Sequence, residues 1–240
     1  MIKPGEGLPQ SARYATQNRG LESVAVSPDG KVYTALQSVI HYEGEDTLRS
    51  QIIRLYEYDP KSGQSKTFAL PIDLTKYKTA HSVKIGDIQM LDSHRLLLIE
   101  HGEGASGHYL SGIFIVDLTG ATDIEKITSP HPLESYSENI FGVDNKIAYP
   151  LKKELLIDLS ALGWEYKKPE GLALIDSSTI AIINDWDDSL EENKLWILTL
   201  PRPLIGWGWL EKALLLSLIF IFLLSTVMTL LFVFKSTKKE

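Results

Sequence analysis

Across the first 200 positions, apolar and polar residues alternate in short runs, and three stretches share one layout. Each has an acidic residue, an apolar run, a polar turn and a second apolar run. They are Gly20–Gln37 (GLESVAVSPDGKVYTALQ), Ile85–His101 (IGDIQMLDSHRLLLIEH) and Lys167–Asp188 (KKPEGLALIDSSTIAIINDWDD). The third is the clearest. Leu172–Ile175 rises to Asp176-Ser177-Ser178, and Ile180–Ile183 returns to close on Asn184-Asp185. β-branched isoleucines suit a pleated surface better than a helix, so each stretch predicts a β-hairpin. The turn acids Asp29, Asp92 and Asp176 lie 63 and 84 residues apart. That spacing is too irregular for a tight solenoid and suits one hairpin per sheet.

Further strands follow from the same pattern. Gln51–Tyr58 and Ser65–Leu70 flank Asp59-Pro60-Lys61-Ser62-Gly63, a strong turn signal. Leu21–Leu70 therefore predicts four antiparallel strands, about the size of one propeller blade. Gly112–Leu118, Lys153–Leu159 and Lys194–Leu200 read as strands. His41–Ser50 and Gly102–Gly112 read as loops, Thr119–Ala148 is weakly patterned, and residues 1–19 form a polar arm. The fold class expected is all-β: a propeller, or a partial propeller of about three to five blades. At about 40–45 residues per blade the length allows four or five, but only three hairpin starts can be traced. Three blades do not close a ring, and open sheet edges invite pairing. The missing part is expected from an N-terminal half of the same gene or from a second β-rich chain. The competing expectation is that Met1–Arg19 and Thr119–Ala148 add strands and close a small ring.

The C-terminal end breaks the pattern. Ala213–Phe234 runs 22 residues without a charge, and about 20 apolar residues cross a bilayer core. Trp207 and Trp209 precede it, and Lys235, Lys238 and Lys239 follow it, as interfacial aromatics and cytoplasmic lysines do. This predicts one transmembrane helix at 213–234, after a juxtamembrane linker 201–212 and before a basic tail 235–240. The lipid bilayer is then a partner. The lysines place the tail in the cytoplasm and the long N-terminal domain outside it, periplasmic or extracellular. MIKPGEGLPQSARY has no apolar core of a signal peptide. Either the chain is tail-anchored facing the cytoplasm, or Met1 is not the true start.

Charge narrows the partners. The chain carries −7 in all, and from Arg202 onward five Lys/Arg face two Asp/Glu, so residues 1–201 carry −10. Such an acidic domain suits cations and argues against nucleic acid. With no cysteine, disulfides and thiolate chemistry are excluded. The six histidines (41, 81, 94, 101, 108, 131) show no zinc spacing, and Ser106 sits in no nucleophile elbow.

The pieces GLESVAVSPDGKVYTALQ, RLYEYDPKSG, IGDIQMLDSHRLLLIE, KELLIDL and KPEGLALIDSSTIAIINDWD occur in one order over Arg19–Leu200. As an ordered set they resemble the phytase-like β-propeller family, described as esterase-like activity of phytase, and make 20–200 a segment of such a propeller. The resemblance departs from the family in length, covering only the later part of a domain, and in the C-terminal anchor. It implies acids gathered near a central channel around calcium, at Glu22, Asp87, Glu100, Glu170, Asn184 and Asp185. Ca²⁺ takes six to eight oxygens, and a cation so held binds phosphate and stabilises charge during hydrolysis. Arg54, Lys84 and Lys153 are candidates to hold the phosphate. The activity implied is calcium-dependent hydrolysis of phosphate esters, with no catalytic residue assigned; the alternative is a non-catalytic propeller for binding or assembly at the membrane. The same acids also have a plainer reading, as acceptors of backbone N–H groups where strands begin. Asp29, Asp92 and Asp176 read as turn formers, and Asp185–Glu192 as a solvated acidic loop.

Overall fold

The computed structural model describes residues 2–43, 47, 49–128, 132–135, 148–185, 192–205 and 217. The chain divides into two compact units, Met1–Leu200 and Pro201–Glu240. The expected membrane span at 213–234 lies outside the described residues except for Ser217, as does most of the acidic loop. Among the described residues no helix is long and apolar enough to cross a membrane.

The first unit is all-β. Its strands are β1 Lys3–Pro4, β2 Gly7–Leu8, β3 Ala25–Val26, β4 Val32–Ala35, β5 Ile52–Asp59, β6 Gln64–Pro71 and β7 Val83–Met90. They continue with β8 Arg95–Glu103, β9 Tyr109–Asp117, β10 Lys152–Asp158, β11 Pro169–Leu174, β12 Thr179–Asn184 and β13 Leu195–Thr199. Strands β3–β6 form one antiparallel meander, β7–β10 a second and β11–β13 a third. Each expected hairpin is present, and its turn acid works as expected. Asp29 accepts from the Ser27 hydroxyl, Asp92 from the His94 and Arg95 N–H groups, and Asp176 from the Ser178 N–H.

Both faces of β8, inside the second sheet, are buried, which explains why it reads RLLLIEHGE with no clean alternation. Leu96 and Leu98 face the first sheet and share a core with Tyr33, Ile53, Leu55 and Leu70. Leu97 and Ile99 point the other way, where β11 packs along β7 and β8 and buries Leu172, Ile180 and Ile182. Each such side chain contributes about 1.5–3 kcal/mol when fully buried. The second and third sheets come close at Gly86, where a Cβ would lie 2.1 Å from the Pro169 carbonyl oxygen. Only a glycine allows β7 and β11 to meet there.

The first and third sheets each pack on the second, and each has exposed apolar side chains on its far face. On the third, Ile183 pairs with Leu195 and Ala181 with Ile197; Leu195 is 64% and Ile197 53% exposed. On the first, Val24 is 68% and Val26 60% exposed. The outer half of that face is covered by the β9–β10 connection, whose Ile124, Leu133 and Ala148 pack on Ile52 and Ala69. Residues 2–19 also lie against this sheet. Ala15 bridges Ile40, and the Ser11 hydroxyl donates to Glu125 at 2.8 Å. Among the described residues, neither this segment nor 119–148 adds a strand to the three meanders.

Candidate functional site

The first strands of the three sheets, β3, β7 and β11, run side by side, with β7 in the middle. Each has an irregularity, and each irregularity carries one of the acids. In β7, Gly86 and Asp87 stand together opposite Ile99, between the Ile85–Glu100 and Ile88–Leu98 pairs. In β11, Glu170 is the extra residue between the Pro169–Asn184 and Gly171–Ile183 pairs. Glu22 lies between the Leu21–Leu36 bridge and the Ala25–Tyr33 pair, where three residues face two. Bulges re-aim side chains and end regular pairing. Here they turn Glu22, Asp87 and Glu170 into one cleft of about 940 Å³, whose other walls include the apolar Leu21, Val24, Val32 and Tyr58 and the polar Ser23 and Thr34.

The three acids differ in how far they are committed. Asp87 takes the Leu172 N–H on Oδ2 at 2.9 Å and its neighbour Ile88 N–H on Oδ1 at 2.8 Å, so it ties β7 to β11. Burial raises its pKa, and the two N–H bonds pull it back down. Glu22 accepts from the Gln37 amide and is otherwise exposed. Glu170 has its pKa raised by burial first and then by Asp185, against the pull of Lys168.

Cations stand beside these acids. Lys84 is half-buried on β7; burial, then Arg19 and Lys168, lower its pKa, while Glu170 and Glu22 raise it. It makes no hydrogen bond or ion pair among the described residues. Arg19 donates to the His81 carbonyl at 3.0 Å, and Lys168 lies 3.7 Å from Asp185. Directly opposite Lys84 in the β7–β8 ladder, His101 is fully buried. Its Nδ1 meets the Tyr109 hydroxyl, and its Nε2 has no hydrogen-bond partner among the described residues. Burial, with Lys84, Arg19 and Lys168 nearby, brings its pKa down to about 3.

The other expected site residues are consumed elsewhere. Glu100 is buried and paired with Lys153 at 2.5 Å, and it accepts from the Tyr77 hydroxyl at 3.1 Å. Lys153 also lies 4.8 Å from the Phe114 ring centre. The Arg54 guanidinium grips Glu134 at 2.7 and 3.1 Å and Glu125 at 3.2 Å, inside the first sheet's covered face. Asn184 accepts the Lys194 N–H at 2.7 Å and donates to the Glu192 carbonyl at 3.1 Å, closing the β12–β13 hairpin. Asp185 is exposed beside Lys168.

The family model described as phytase-like, esterase-like activity of phytase, matches residues 3–188. The chain belongs to the phytase-like family. No curated protein and no solved structure matches it. In this phytase-like chain, no group of three or more His, Asp or Glu side chains among the described residues is placed to hold a metal ion. Calcium needs six to eight oxygens. With Asp87, Glu100 and Asn184 engaged internally, Glu22 and Glu170 are too few, so the described residues do not by themselves fit the ion.

Sequence reasoning missed Arg19, His101 and Lys168 as neighbours of Lys84. It also missed Glu125 and Glu134 as the partners of Arg54. Only one signal was available for either group: a lone arginine in the apolar β5 run IIRLYEYD requires a buried acid from a distant segment.

Proposed function

We propose that the three meanders are successive blades of a phytase-like propeller, and that the chain is a membrane-anchored module that binds phosphate esters at its axial end. The domain would face outside the cytoplasm, with the tail inside. What supports the binding reading is Lys84. It is a half-buried cation without an ion pair among the described residues, Arg19 and Lys168 act on it against the pull of Glu170 and Glu22, and it lies on β7, the strand that also carries Asp87 into the cleft. An anion arriving there relieves like-charge repulsion and gains charge-assisted hydrogen bonds. Binding of myo-inositol hexakisphosphate to the full chain in detergent, followed by calorimetry, tests this. Lys84→Met should weaken binding at least tenfold with the fold intact. Equal affinity in the variant would remove the proposal.

A second reading keeps the hydrolase. Its support is the convergence of Glu22, Asp87 and Glu170 in one cleft, which more carboxylates from further blades would turn into a calcium site. Release of inorganic phosphate that needs added calcium and vanishes in Glu170→Gln would favour this reading over simple binding. No turnover with calcium present would leave the binding module.

A further inference from the structure

Three segments are laced together beside Lys84. The Gln37 N–H donates to the Gly20 carbonyl at 2.9 Å, the Ile85 N–H to the Gln37 carbonyl at 2.7 Å, and the Ser38 hydroxyl to the Val83 carbonyl at 2.9 Å. These bonds bring Arg19, His41 and His81 to the start of β7, where Lys84 follows His81 by three positions. Arg19 is half-buried and gives one N–H to the His81 carbonyl at 3.0 Å. Among the described residues its guanidinium meets no carboxylate, and the His81 ring makes no hydrogen bond. Arg19 acts on both His81 and Lys84, so the three form one cationic group on a domain of strongly negative charge. A guanidinium with donors to spare suits the oxygens of an oxyanion, which it can grip at two points.

We propose that Arg19 and His81 complete the anion site at Lys84, and that His81 takes up a proton as the ligand binds. The site then holds a dianion such as a phosphate monoester more tightly in mildly acidic solution. This regulation rests on the reading of Lys84 as an anion contact. Burial first, then Arg19 and His41, hold the free His81 ring below its ordinary pKa of 6.5. An anion beside it favours the charged ring and moves the value back up. Affinity therefore rises as pH falls through the interval between the free and bound values, and levels off below it. A bound value one unit higher gives about a tenfold gain. The groups that face His81 are Arg19, from the segment before the first sheet, and His41, from the loop after β4. Glu22 and Glu170 pull on Lys84 from the first and third sheets.

Sulfate is the probe, because its charge does not change between pH 5.5 and 7.5. Calorimetry on the full chain in detergent should show sulfate binding that tightens as pH falls. At pH 6.5, buffers of different ionisation enthalpy should report uptake of a fraction of a proton per sulfate. His81→Gln should remove that uptake and flatten the profile, whereas His41→Gln should keep both. Glu170, whose burial-raised carboxyl also sheds charge on acidification, is common to parent and variant and cancels. Arg19→Gln should weaken sulfate about tenfold or more at every pH. Equal urea midpoints show that the variants keep the fold. Uptake that persists in His81→Gln, uptake lost in His41→Gln instead, or unchanged affinity in Arg19→Gln overturns the proposal and leaves Lys84 as the anion contact. Sulfate that binds the parent without a proton, or that does not bind at pH 5.5, overturns it without any variant. Inositol hexakisphosphate with Lys84→Met decides the binding reading by itself, so the two fail separately.

Discussion

His101 offers a test of the site's interior that reads out as stability. Its imidazole is fully buried, with Nε2 unpartnered among the described residues and three cations nearby. All of these features oppose a second proton, and its pKa falls from 6.5 to about 3. The unfolded chain keeps the ordinary value. Below pH 6.5 the unfolded state therefore binds a proton that the folded state refuses, and stability falls as pH falls. One proton of difference gives about 1.4 kcal/mol per pH unit. Between pH 6 and pH 4, His101 should cost the folded state about 2.5 kcal/mol. His101→Gln removes the titrating group while keeping a polar atom for Tyr109. Asp87 and Glu170 work in the opposite direction, because their raised values mean that the folded state holds protons more tightly and gains stability as pH falls toward the ordinary carboxylate range. They are common to both proteins and cancel in the comparison. Urea unfolding at pH 6, 5 and 4 should show the parent losing stability faster than the variant, by about 1 kcal/mol per unit or more. Parallel pH profiles would mean that His101 takes its proton in the folded state, and that its surroundings are not those described.

Removing one side of the buried pair should be severe: Arg54→Ala leaves Glu134 and Glu125 without their cation and should cost about 3–5 kcal/mol in denaturant unfolding. Asp87→Ala strands the Leu172 N–H between the second and third sheets and should cost about 1–3 kcal/mol, while Asp87→Asn, which keeps an acceptor, should cost less. A chain ending at Leu200 should leave membranes after a salt wash. Sedimentation with the vesicles would place its membrane contact in residues 1–200.

The hairpins were legible because strand period and turn chemistry are local. IIRLYEYDPKSGQSKTFAL states two strands and their turn within nineteen residues, and β5 and β6 follow it closely. The three acids were legible for the same reason, since each precedes or interrupts an apolar run. What each acid does was not legible. Asp87 and Glu170 occupy similar places in the pattern, yet one binds the next sheet's backbone and the other points into the cleft beside Asp185 and Lys168. That difference arises from the approach of Gly86 to Pro169, 83 positions apart, which no local pattern encodes. Arg54 shows the same limit. Its residue type announced a buried charge, but its partners come from a segment with no periodicity.

The two acids not tied to the backbone lead to one last prediction. Glu22 and Glu170 line the cleft without an ion pair among the described residues, and two carboxylates fall short of what calcium requires. The hydrolase reading needs further carboxylates beside them, and carboxylates brought together repel unless a cation joins them. A ligand present at a hundredfold excess over its dissociation constant adds about 2.7 kcal/mol to stability, several degrees in a melt. On that reading the protein should melt higher in calcium than in chelator, and Glu170→Gln should shrink the difference. If the variant keeps the full calcium shift, the ion sits away from this cleft, and the hydrolase reading of the cleft fails. If neither protein responds to calcium, the free acids serve another purpose, and Lys84 with its neighbouring cations remains the site's chemistry.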